Sequence, residues 1–160
     1  MKKILTQLFL ALAFFTSNAQ QINFVEYDLE NGLHVILHQD NSAPVVSATL
    51  QFHVGSKDED DGLKGFAHLF EHMLGKETKN MDSGQWGKIY SARGGSGNAS
   101  TSVDLTNYYV TVPSNSLKLA LWRYSEIMLH PIIEQETIDI QREAVCLLYT
   151  SPSPRDLRKS

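Results

Sequence analysis

The chain has 160 residues, of which 42% are apolar, 20% charged and 9% aromatic, enough for one domain with a packed core. A net charge of −4 argues against a protein that grips nucleic acid or an anionic membrane surface. The single cysteine, Cys146, excludes an internal disulfide framework and any multi-thiolate metal site.

Lys2 and Lys3 precede an apolar run from Ile4 to Phe15, followed by the small residues Ser17 and Ala19. That order predicts a secretory signal peptide over residues 1–19, cut after Ala19, and hence an exported, periplasmic or secreted protein. The run falls short of the roughly 20 apolar residues that span a bilayer, so no stable membrane span is expected after cleavage. Residues 146–160 contain Pro152 and Pro154 and are read as a non-native tail, resembling the translation of a sequencing adaptor read through at the end of a fragment. The body, residues 20–145, carries nine Lys and Arg against seventeen Asp and Glu, a net charge of −8.

Strands are expected over Phe24–Leu29 and Leu33–Leu37, with Asn31-Gly32 between them as a hairpin signal. Pro44–Val54 reads as a strand with Val46, Ala48, Leu50, Phe52 and Val54 on one side. The acidic run Asp58-Glu59-Asp60-Asp61 reads as the solvated approach to a helix rather than a calcium loop. Helices are expected over Leu63–Leu74, Gln85–Arg93, Leu117–Leu129 and Glu134–Val145, and a strand pair broken near Asp104 over Ala99–Val112. This order predicts an α+β fold, an antiparallel sheet covered by helices on one face.

The chemistry centres on His68-Leu69-Phe70-Glu71-His72. Histidines four apart on a helix lie one turn apart on one face, where two imidazoles can reach one metal ion. Glu71 stands beside them, placed to take a proton from water. Phe66, Leu69, Phe70 and Met73 recur at core-stripe spacing, which predicts a helix that buries the stripe and presents His68, Glu71 and His72 on the opposite side.

The motif H-x-x-E-H resembles the inverted zinc signature of the insulinase/pitrilysin metallopeptidases. The likeness extends through Glu30-Asn31-Gly32-Leu33, Gly62–Met73, Lys79–Gly84, Gly94–Thr101, Thr106–Tyr109 and Val112-Pro113-Ser114, covering about residues 24–145. The resemblance implies a zinc endopeptidase of the metalloenzyme LuxS/processing-peptidase-like fold, with His68 and His72 as zinc ligands and Glu71 as general base. Asn98, Ala99, Ser100 and Thr101 match the family's edge strand, which receives a peptide substrate by β-augmentation. Gly75 stands where the family has an aromatic residue and Glu77 where it has a glycine. The family's third ligand, a glutamate, would fall at Leu148 inside the suspect tail; Glu143 lies off that face and is not a nominee. The chain is accordingly expected to be part of the first half of a two-halved peptidase that pairs with a second homologous half or subunit, and to be inactive by itself. The alternatives are a non-catalytic substrate-binding partner subunit of the same fold, or an acidic surface domain with a fortuitous histidine pair.

Overall fold

Strands and helices follow one another from Phe24 onward in a computed structural model that describes residues 22–150, with side chains described through Val145. The expected signal peptide and residues 151–160 of the expected tail lie outside the described residues. Two units are separated at Ala43 and Pro44.

The first unit is a hairpin of β1 (Phe24–Asp28) and β2 (His34–His38), paired antiparallel from Phe24 opposite His38 to Asp28 opposite His34. Its turn is longer than the two residues that Asn31-Gly32 alone suggest. The Gly32 amide donates to the Leu29 carbonyl at 2.8 Å and the Leu29 amide to the Leu33 carbonyl at 2.9 Å, so Glu30, Asn31 and Gly32 form the loop. Gly32 closes it at φ 83°, the left-handed position that three-residue hairpin loops reserve for glycine.

The second unit is built on an antiparallel sheet of β3 (Val45–Phe52), β4 (Ser96–Thr101) and β5 (Thr106–Pro113), with β5 in the middle. Alternation along β5 sends Thr106, Tyr108, Val110 and Val112 inward and Tyr109 and Thr111 outward. The register sets Phe52, Thr106 and Thr101 in one inward row and Leu50, Tyr108 and Ala99 in the next. Among the described residues, four α-helices accompany the sheet: α1 (Phe66–Leu74), α2 (Gln85–Ala92), α3 (Leu117–Leu129) and α4 (Gln135–Thr150). Helix α1 touches β4, β5 and α4, α2 lies against β4, and α3 against β3 and β5. Leu50, Trp86, Tyr90, Val110, Val112, Ala120, Tyr124 and Ile127 fill the space between as one core. The expected α+β arrangement, one sheet face covered by helices, is the arrangement found. Helix α4 continues through Thr150, five residues past the expected end at Val145. Among the described residues no helix is long and apolar enough to cross a membrane.

Two devices set α1 against the sheet. The loop before it approaches the β4–β5 turn so closely that a Cβ on Gly55 would stand 2.4 Å from the Val103 carbonyl oxygen, which reserves that place for glycine. The amides of Ser56 and Lys57 there donate to the Ser102 and Val103 carbonyls, each at 3.0 Å. The helix start is then satisfied from the acidic run: the Glu59 carboxylate accepts the amides of Gly65 and Ala67, each at 2.9 Å.

The orientation of α1 corrects the stripe reading. Met73 is buried at 2% exposure, but Phe66 and Phe70 are 46% and 39% exposed, while Glu71 is only 8% exposed. The polar face is turned inward because β4, β5 and α4 supply it with hydrogen-bonding partners, and burying polar groups is tolerated only where such partners exist. Phe66 and Phe70 instead line an apolar cavity of about 430 Å³ with Phe52, Val54, Leu63 and Leu74.

Candidate metal centre

One turn of α1 separates His68 and His72, and their Nε2 atoms stand 3.2 Å apart with ring centroids at 4.8 Å. Two nitrogens bound tetrahedrally to one zinc ion at the usual bond length lie about 3.3 Å apart, so the pair has the spacing of two ligands on a shared ion. The orientation of His72 is set from α4. Its Nδ1 is 3.2 Å from Oε1 of Gln141, a buried residue at 6% exposure. An amide oxygen can only accept, so Nδ1 carries the proton and Nε2 keeps the lone pair that a metal needs.

Glu71 is held at both ends. Thr101 Oγ1 donates to its Oε2 at 2.5 Å, and the Tyr108 hydroxyl donates to its backbone carbonyl at 3.0 Å. Burial pushes the Tyr108 phenol well above its ordinary value of 10, and the neighbouring Glu71 charge adds to the shift. Tyr108 is therefore a neutral donor throughout the working range. Gly75, where the family pattern has an aromatic residue, sits 3.3 Å (measured from the place of a Cβ) from the Tyr108 ring, so that ring takes up space beside the helix end.

Among the described residues, no group of three or more His, Cys, Asp and Glu side chains converges to hold a metal. Two imidazoles with a carboxylate beside them are donor types that fit zinc, and among the described residues they leave further coordination positions free. Glu143 is exposed on α4. Leu148, the position to which the resemblance leads for the third ligand, lies on the α4 backbone beyond the last described side chain.

The four residues expected to bind substrate lie on β4, which pairs only with β5 among the described strands and so has a free edge. Asn98 and Ser100 are exposed, and the Asn98 side chain accepts the Ala99 amide at 2.9 Å. Ala99 and Thr101 point inward; Ala99 packs on the core, and Thr101 reaches Glu71. Sequence reasoning missed Gln141, Tyr108 and Glu59 as partners of the zinc-motif helix. Gln141 lay within the expected helix Glu134–Val145, and Tyr108 within the expected strand pair.

Three comparisons bear on this arrangement. The model of the family "Insulinase (Peptidase family M16)" matches residues 34–150. The chain is 34% identical over 118 residues to the zinc protease PqqE of Helicobacter pylori, covering 73% of this chain and 27% of that protein. It is likewise 34% identical over 119 residues to human insulin-degrading enzyme, covering 74% of this chain and 12% of the relative. Among solved structures, a protease from Helicobacter pylori superimposes with a TM-score of 0.78 at 30% identity, over 86% of this chain and 34% of the other. Pitrilysin superimposes with a TM-score of 0.71 at 27% identity, over 80% and 14% respectively. The chain thus spans about a quarter or less of the length of these curated relatives.

Proposed function

The chain belongs to the insulinase family, peptidase family M16, and on that premise we propose that it carries the zinc-binding and proton-handling part of a metalloendopeptidase acting on peptides. The observation that carries this reading is the pair of Nε2 atoms 3.2 Å apart, with the Glu71 carboxylate fixed one residue before the second of them. His68 and His72 would hold the ion. Zinc, when bound, supplies Lewis acidity toward a peptide carbonyl.

The chain's own residues supply the rest. Gln141 keeps the lone pair of His72 Nε2 facing the metal position. Glu71 Oε1 takes the proton of the attacking water while Oε2 remains on Thr101, and the same carboxyl then returns that proton to the departing amine. The free edge of β4 offers Asn98–Thr101 backbone groups to an extended peptide, which fixes the scissile bond along the strand. The remainder of the coordination sphere and the closing half of the site come from elsewhere in the full-length protein or from a homologous subunit. The basic and apolar N-terminal run supports export to the periplasm or beyond.

The test is cleavage of an internally quenched peptide by the full-length zinc-loaded protein and by Glu71→Gln. Loss of turnover by about 100-fold or more with zinc content retained is expected for a general base. Wild-type turnover in Glu71→Gln would overturn the assignment.

A further inference from the structure

Glu71 is nearly buried, and only one of its carboxylate oxygens is engaged by Thr101. Direction follows from chemistry: a carboxylate has no proton to give, so Thr101 Oγ1 is the donor in the 2.5 Å contact. Directly across the strand pair, Thr106 Oγ1 donates to the Val54 carbonyl at 3.0 Å and stands 3.5 Å from Thr101 Oγ1. The single Thr106 hydrogen is thus committed to the loop, which leaves Thr101 as the hydroxyl that serves Glu71. Thr101 also lies on the inward row of the sheet with Thr106 and Phe52, facing α1.

We propose that Thr101 is a positioning residue for Glu71: by engaging Oε2 it fixes the carboxylate rotamer and leaves Oε1 directed to the reacting water. The Tyr108 contact to the Glu71 carbonyl fixes the backbone of the same residue, so that only the side-chain torsions depend on Thr101. The inference rests on the assignment of Glu71 as the base, and it moves Thr101 from the substrate strand's recognition set to the proton-handling machinery.

The test uses the full-length zinc-loaded protein carrying Thr101→Val, Thr101→Ala or Thr101→Ser, beside Glu71→Gln. Thr101→Val and Thr101→Ala are expected to lower kcat by about 10- to 100-fold, the usual cost of losing an orienting hydrogen bond. KM should stay within about twofold and Thr101→Ser should recover kcat to within about threefold, because the serine hydroxyl reaches the same oxygen. A second readout needs no activity: in the zinc-free protein, the Glu71 carboxyl ¹³C resonance should move in Thr101→Val and return in Thr101→Ser. The alanine variant serves where valine prevents folding. Wild-type kcat in both Thr101→Val and Thr101→Ala, with Glu71→Gln inactive, overturns the positioning role alone. A raised KM with kcat unchanged does the same in favour of substrate contact. Full activity in Glu71→Gln overturns the base assignment instead.

Discussion

A single amide decides which nitrogen of His72 faces the metal position. Gln141 Oε1 accepts from Nδ1 at 3.2 Å, and the residue is buried. Removing that acceptor frees the ring to turn and to exchange tautomers, both of which compete with ligation. Gln141→Leu, close in volume and unable to accept, should therefore weaken zinc binding by about 10- to 100-fold, as measured by competition with a chelating dye. A change smaller than threefold would show that the imidazole is oriented by its neighbours on α1 alone. The spacing of His68, Glu71 and His72 was readable in the sequence because i, i+4 periodicity is a local property of any helix. Their supporting partners were not, since Thr101, Tyr108 and Gln141 lie 30, 37 and 69 residues away from the residues they hold.

At the level of elements, α1 shows where sequence reasoning succeeds and where it stops. Its C-terminal end at Leu74 was expected, and α3 spans Leu117–Leu129 as the periodicity predicts. The side on which α1 packs differs in part: four apolar residues at core spacing suggested one buried face, and Met73 is buried, yet Phe66 and Phe70 remain open to a cavity while Glu71 turns inward. Periodicity counts apolar residues and is blind to hydrogen-bond donors arriving from another strand. The start of α1 also depends on a group outside the helix, because Gly65 offers no capping side chain and Glu59 supplies the carboxylate from six residues earlier. Glu59→Ala should destabilise the protein by about 1 kcal/mol, with thermal unfolding as the measure, through loss of both amide acceptors and of a negative charge at the helix start. Glu59→Gln, which keeps an acceptor but not the charge, should recover part of that loss.

Across the larger unit, the segment after α1 is tied back to α3 by an ionisable group. Asn80 Nδ2 donates to both oxygens of Glu126, at 2.9 and 3.1 Å, and the Lys79 amide donates to the His130 carbonyl at 3.0 Å. Burial raises the Glu126 carboxyl more than any single neighbour lowers it, but the Asn80 hydrogen bonds, with Thr78 and His130 beside the group, together outweigh it and hold the group below its ordinary value of 4.5. A carboxyl with a depressed folded value contributes stability above pH 4.5 and loses it as pH falls toward that depressed value. Asn80→Ala removes the largest of the lowering interactions and leaves the burial, opposed only by Thr78 and His130. Acid unfolding followed by circular dichroism should then have its midpoint at a higher pH than in the wild type, and an unchanged midpoint would exclude Glu126 from acid stability.

The distances along the chain that separate the members of the metal centre also order its assembly. Both imidazoles sit on one nine-residue helix and are neighbours by local geometry, whereas the three contacts that hold Glu71 and His72 close loops of 30, 37 and 69 residues. Loop closure becomes more costly with length, and the longest of these brings in α4. If His68 and His72 hold zinc as proposed, ion capture with full affinity would wait for α4 to dock, so during refolding the uptake of zinc would trail the formation of the sheet and serve as a clock for the last long-range step.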